Sequence, residues 1–295
     1  MAVLCSGIKG LKEKWLAYTL DGETPIPQRS IVSFVDILGY SAKVRDAEEK
    51  GETSKFLYEY RQALFAASDS FVNDASCYAF NFTDSVVVGW PIAEEDDSEV
   101  PLCASCWYLA LYQLTMSQFD YFVRGGVAVG EAYFDEYVQS GKAFLDAYET
   151  EERQAIYPRI VLAEDAVAEV KKSCSYYIEE ACPLDQLFAV DADGSIFINY
   201  LYSVFGVFSG DSDRCREDIE GYITNHREAI ERNLVATVSK SYVYRKYQWA
   251  ARYHDFFCEE ISGWLKKDLT ISMDYGKERF APPRRLLDVF PDWIV

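Results

Sequence analysis

The sequence predicts an α/β protein, an α+β sandwich on a ferredoxin-like core with a C-terminal helical extension, and three observations carry that expectation. Short β-branched and aromatic runs, each closed by a glycine or an aspartate, alternate with segments whose apolar residues recur every three to four positions. Over residues 31–162 the order reads strand, helix, hairpin, helix, strand, helix, strand. Residues 212–266 then carry only the helical period and read as two long helices.

Taken in order, Ile31-Val-Ser-Phe-Val-Asp36-Ile-Leu is a run suited to a buried strand, and Gly39 closes it before a helix. Residues 53–73 place apolar side chains on one helical face, which packs on a sheet. Two strands at 76–82 and 85–90 bracket Asp84, with room for only a tight turn between them. The acidic run Glu94-Glu-Asp-Asp97 is a solvated turn that places negative charge ahead of a helix over 98–118. Residues 121–130 form a fourth strand, a helix begins near Gly141, and residues 157–162 form a fifth strand. Phe188 to Ile198 reads as a second hairpin turning at Asp193-Gly194. The aromatic stripe Tyr244 to His254 reads as core or interface, since such spacing on a helix is foremost a packing pattern. These elements divide the chain into a unit over 27–205 and an extension over 206–295 packed on it.

Composition narrows the function. With 49% hydrophobic residues in a chain of 295, there is enough apolar material for a sizeable core. The formal charge of −19 excludes nucleic acid as the expected partner, because phosphate-backbone binding needs clustered Lys and Arg. No window approaches the roughly 20 apolar residues of a bilayer span, and no secretory leader pattern opens the chain, so a cytoplasmic protein without a membrane association is expected. Eight scattered cysteines suit a reducing compartment. The lone Cys103-x-x-Cys106, in a chain with two histidines, reads as small buried residues on a helix rather than a zinc site.

The chemistry is expected at Asp36 and Asp84, carboxylates at neighbouring strand ends that can share divalent cations against a phosphate chain. Backbone N–H groups of Leu38, Gly39 and Tyr40, at the start of the following helix, would face those phosphates, and Gly39 lets the backbone approach closely.

These residues resemble the class III nucleotidyl cyclases. Phe34-Val-Asp36-Ile37-Leu-Gly39-Tyr40 matches the family's first metal strand, and Asp84, 48 residues later, matches its second metal aspartate in a hairpin turn. Arg124-Gly-Gly126-Val-Ala-Val-Gly130 matches an Arg-x-Gly-x-x-x-Gly strand whose arginine contacts the triphosphate. Gly141 to Glu151 is similar to the family's Gly-x-x-Val-Asn-x-Ala-x-Arg-x-Glu helix. The resemblance implies two Mn²⁺ or Mg²⁺ ions on Asp36 and Asp84, with the Ile37 carbonyl as an extra ligand. It also implies Arg124 on the β- or γ-phosphate and a homodimer with its active sites at the interface.

Three departures matter. The family's asparagine and arginine positions read Leu145 and Glu149 here, and a glutamate cannot stabilise developing negative charge as a guanidinium does. Lys142, Arg153 and Arg159 are the candidate substitutes; otherwise the chain binds a nucleotide or regulates without turnover. Six residues before Asp84, where purine cyclases read the base, stands Tyr78, which either stacks on a base or is simply a strand residue. With the helical C-terminal segment, these departures resemble the Pycsar pyrimidine cyclases, bacterial anti-phage enzymes that make cyclic UMP from UTP or cyclic CMP from CTP for a separate effector. A metal-dependent phosphohydrolase using the same acids is a third reading, and it lacks the histidines such sites recruit.

Overall fold

The computed structural model describes residues 15–72, 77–92, 99–177, 181–208 and 213–294. The acidic run at 94–97 and Cys5 lie outside them. The strands are β1 (Gln28–Ile37), β2 (Tyr78–Phe82), β3 (Ser85–Pro91), β4 (Val123–Phe134), β5 (Gln139–Ser140), β6 (Ile160–Leu162), β7 (Phe188–Val190), β8 (Ile196–Ile198) and β9 (Arg284–Arg285). The principal helices are α1 (Tyr40–Glu49), α2 (Thr53–Val72), α3 (Glu99–Gln118), α4 (Lys142–Arg153), α5 (Glu164–Cys174), α6 (Asp213–Thr237) and α7 (Ser241–Glu260).

One sheet runs β2-β3-β1-β4-β6-β8-β7-β9, with β5 paired to β4. Its first four strands are antiparallel neighbours, and helices connect β1 to β2 and β3 to β4. That order and connectivity make the ferredoxin-like core expected from the sequence. β6 joins parallel to β4, and the Phe188–Ile198 hairpin extends the sheet beyond it, turning over Gly194 at φ 84°.

Strand alternation sorts side chains between two apolar layers. Ile31, Val35 and Ile37 of β1 and Val123, Val127 and Val129 of β4 face a large cluster built with α2, α3, α5, α6 and α7. Val32, Ala128, Ala132 and Phe134 face a smaller cluster closed by Ala143 and Ala147 of α4. Two glycines of the Arg124–Gly130 motif permit that second layer. A Cβ on Gly126 would lie 2.2 Å from the Ala147 carbonyl oxygen, so α4 rests directly on the β4 backbone.

The aromatic stripe of α7 is core, as its pattern suggests: every residue from Lys246 to Cys258 is buried. Two of its polar members are met by the chain returning over them. Asp255 accepts from the Ile271 amide at 2.8 Å and the Tyr275 hydroxyl at 2.6 Å, and Gln248 donates to the Tyr275 carbonyl. Cys106 of α3 is also buried, while Cys103 is half-buried.

The expected fifth strand is shorter than the pattern suggested, because the backbone of Tyr157 to Arg159 turns, with the Arg159 amide donating to the Tyr157 carbonyl. The extension is not wholly helical either. After α7 the chain crosses back and adds β9 to the sheet edge beside β7. Among the described residues no helix is long and apolar enough to cross a membrane.

Candidate active site

The β1–β3 register places Asp36 opposite Ser85, so the Asp84 turn lies beside the end of β1. The β1–β4 register places Asp36 opposite Arg124. Asp36 and Arg124 share the sheet face that carries Phe34 and α4. Asp36 Oδ1 accepts from the Ser85 hydroxyl at 3.3 Å, and Oδ2 lies 3.5 Å from Arg124 Nη2. Burial, and then the neighbouring Asp84 carboxylate, raise the Asp36 pKa above the ordinary carboxylate range, while Arg124 opposes them. Carboxylate oxygens such as those of Asp36 and Asp84 are the type of donor a hard divalent cation takes.

Asp84 sits in a two-residue turn between the paired residues Phe82 and Ser85. Thr83 before it is held at φ 55°, a strained conformation for a β-branched residue. Two hydrogen bonds fix it: the Tyr60 hydroxyl donates to the Thr83 carbonyl at 2.9 Å, and the Thr83 hydroxyl donates to Asp84 Oδ1 at 2.6 Å. Ile37 ends β1 with its side chain buried, which leaves only its carbonyl as a ligand group. Among the described residues no cluster of three or more His, Cys, Asp or Glu forms a metal site. Ions at Asp36 and Asp84 would therefore draw their remaining oxygens from backbone, water and substrate.

Gly39 adopts φ 74° and ψ 17° as the N-cap of α1, and no atom lies within 4 Å of where its Cβ would be. The Ala42 and Lys43 amides both donate to the Gly39 carbonyl at 3.1 Å, and the amides of Gly39, Tyr40 and Ser41 stand ahead of that ladder beside this clear approach. Leu38 does not join them. Its amide donates to the Phe122 carbonyl at 2.8 Å and its side chain is buried, so its N–H is committed to the fold rather than to a phosphate. Tyr40 packs its ring on Tyr60 at 5.0 Å and Phe56 at 5.8 Å, and burial followed by the Asp84 charge raises its pKa.

Arg124 has a second partner, Glu151, the last residue of the Gly141–Glu151 helix motif, to which the sequence reading assigned no role. Its Nη2 lies 2.7 Å from Glu151 Oε1 on α4, and its Nη1 donates to the Ala155 carbonyl at 3.5 Å. Burial pushes the Glu151 carboxyl up to about 7, Arg124 opposing and Asp36 adding to the rise. The available signal was the helical period, which puts Glu151 on the same inward face as Ala143, Ala147 and Thr150.

Tyr78 is 5% exposed and lies in the α4-side cluster, its ring 5.2 Å from Tyr18 and 6.1 Å from Phe134. Burial pushes its pKa up to about 12. Of its two sequence readings, this placement is that of a packed strand residue. Leu145, 58% exposed, and Glu149 lie on the outer side of α4, where Glu149 pairs with Arg153 at 2.9 Å. Lys142 is exposed and pairs with Asp146.

Arg159 is not a free cation. It is fully buried, bonded to Asp191, to Asp193 at 2.6 Å and to the Gln154 carbonyl at 3.1 Å, with Tyr157 and Trp249 rings near its guanidinium. That environment uses its charge internally and removes it from the candidate substitutes for the missing arginine.

No protein-family model matches this chain, and no curated protein matches it. Among solved structures, the crystal structure of the adenylyl cyclase CyaB from P. aeruginosa is similar over 58% of this chain and 93% of that chain, with 14% sequence identity and a TM-score of 0.42.

Proposed function

We propose that this protein is a nucleotidyl cyclase that converts UTP or CTP to cyclic UMP or cyclic CMP and pyrophosphate, acting in the cytoplasm as the second-messenger synthase of an anti-phage system. The observation that carries the reading is the convergence of Asp36, the Asp84 turn and Arg124 on one sheet face, beside the open amide turn at Gly39.

In this account the unit over 27–205 holds the chemistry. Asp36, Asp84 and the Ile37 carbonyl hold two Mn²⁺ or Mg²⁺ ions. When bound, such ions acidify the ribose 3′-hydroxyl and neutralise charge on the leaving pyrophosphate. Arg124, beside Asp36 and Glu151, would bind the β- or γ-phosphate. The amides of Gly39 and Tyr40 hold phosphate oxygens at the start of α1. The 3′-oxygen forms a bond to the α-phosphorus, the bond from that phosphorus to the bridging oxygen breaks, and the hydroxyl proton passes to solvent through either aspartate.

A homodimer completes the site in this account, with the Asp84 hairpin of one copy facing α4 of the other. Phe82, 77% exposed at the hairpin tip, and Leu145, 58% exposed on the outer side of α4, are the apolar surfaces that support it. Lys142 and Arg153, both exposed and each paired within α4, are the cations that remain to assist the reaction centre across such an interface. The pyrimidine preference rests on Tyr78, Leu145 and Glu149 as departures from the purine-cyclase pattern.

Incubation with ATP, GTP, CTP and UTP separately in the presence of Mn²⁺, with products identified by mass, tests the reading. A cyclic pyrimidine nucleotide supports it, a cyclic purine nucleotide removes the pyrimidine assignment, and nucleotide binding without product establishes the non-catalytic alternative.

A further inference from the structure

Three consecutive residues between α3 and β4, Asp120-Tyr121-Phe122, touch the turn after β1, α1, α2 and both helices of the C-terminal extension. Asp120 stands at φ 65°, which projects its carboxylate between two partners. Oδ2 lies 3.1 Å from Lys43 Nζ on α1, the helix that follows Gly39. Oδ1 accepts from Asn233 Nδ2 on α6 at 2.6 Å, and Arg232 stands 3.9 Å from the same oxygen. Asn233 uses its other amide proton on the Ala229 carbonyl at 2.8 Å, so its orientation is fixed by its own helix.

Tyr121 continues the path. Lys43 Nζ lies over its ring at 5.2 Å, and the ring packs at 5.5 Å on Tyr60, whose hydroxyl holds the Thr83 carbonyl in the Asp84 turn. Phe122 accepts the Leu38 amide with its carbonyl, and its ring packs 5.6 Å from His226 of α6 and 5.5 Å from Tyr247 of α7. Arg124 follows two residues later on β4.

We propose that the α6–α7 pair is a positioning element for the site, with Asn233 and the Asp120–Phe122 tripeptide holding the turn after Asp36 and the Asp84 hairpin in their working geometry. Asn233 is the residue through which α6 acts, and it touches none of the reacting groups. A displacement of α6, by a partner or by mutation, then reaches both aspartates through short contacts. The inference rests on reading Asp36 and Asp84 as the metal pair, and it is tested by a measurement that needs no turnover.

Hydrogen exchange resolved to single residues, on the full chain, compares wild type with Asn233→Ala. The expected result is exchange about tenfold faster at the Leu38 amide and at residues 83–85, with β7 and β8 unchanged, and Mn²⁺ affinity, titrated with the metal alone, weakened about tenfold. That is the loss of one hydrogen bond to a charged group. If Asn233→Ala does not fold, Lys43→Met cuts the same path from α1 and produces the same local pattern. Unchanged exchange at Leu38 and 83–85, or a uniform rise that includes β7 and β8, overturns the proposal. A wild-type protein that binds no Mn²⁺ overturns the metal reading, and hydrogen exchange still decides the coupling.

Discussion

Asp36 and Arg124 are directly opposed across the β1–β4 register, and their side chains meet at 3.5 Å, with Glu151 on the same guanidinium nitrogen at 2.7 Å. Arg124 is therefore held beside Asp36 by a buried helix carboxylate. Glu151→Gln removes that anchor while keeping its shape. We expect the variant to fold with a loss of about 1–2 kcal/mol, since Arg124 retains Asp36 and partial solvent access, and to lower kcat/KM about tenfold through a weaker hold on the phosphates. Denaturant unfolding and steady-state kinetics check the two parts; wild-type values for both contradict the anchoring role.

Gly126 and Gly39 are predicted to fail for different reasons. Gly126→Ala puts a methyl group into the Ala147 carbonyl, where the two backbones cannot separate without lifting α4, and should cost about 1–3 kcal/mol. Gly39→Ala meets open space and pays only for its positive φ, about 1 kcal/mol. Thermal unfolding of both variants gives the ranking, and Gly39→Ala should additionally weaken nucleotide binding, because its methyl group projects into the approach to the α1 amides.

His226 and His254 form a buried chain whose proton positions follow from its ends. The Leu269 carbonyl can only accept, so His254 Nε2 donates to it at 2.8 Å and His254 Nδ1 is bare. His226 Nδ1 therefore donates to His254 Nδ1 at 2.9 Å, and His226 Nε2 accepts from the Tyr200 hydroxyl at 2.7 Å. Both imidazoles are neutral, and burial lowers both pKa values, the neighbouring His254 also lowering that of His226. Below about pH 6.5 the unfolded chain takes up protons that the folded chain refuses, so this pair's contribution to stability is present above that pH and is lost as pH falls toward the depressed folded values. Nitrogen NMR at pH 6 should show neutral rings, protonated at Nδ1 in His226 and at Nε2 in His254. Imidazolium signals at that pH contradict the chain.

Arg159→Met tests the separation of structural from catalytic cations. The variant leaves Asp191 and Asp193 without their partner, and removing one member of a buried pair costs about 3–5 kcal/mol. The expected phenotype is loss of folded protein in circular dichroism rather than a stable protein with altered kinetics.

The sequence made the ferredoxin-like core legible because β1, the Asp84 hairpin and β4 are β-branched runs punctuated by Gly and Asp, and because α2 keeps a helical period. It also placed Asp36, Asp84 and Arg124, since their positions at strand ends follow from where those runs stop. What it left hidden depends on residues distant in the chain. The Leu38 amide is consumed by Phe122, the face of Tyr78 is covered by Tyr18, and Arg159 is neutralised from the β7–β8 turn. Two-residue strands such as β5 and β9 carry no period to detect, and they form only because a neighbouring edge is available.

The most direct test of the central claim, that Asp36 and Asp84 form a metal pair for nucleotide cyclisation, is the initial rate of cyclic product formation from UTP and CTP with Mn²⁺ in wild type, Asp36→Asn and Asp84→Asn. The account predicts a cyclic pyrimidine nucleotide from the wild type and a loss of at least about a thousandfold in each variant, about 4 kcal/mol of barrier, with the fold retained. Product formation undiminished in either variant, or no cyclic product from the wild type, contradicts it.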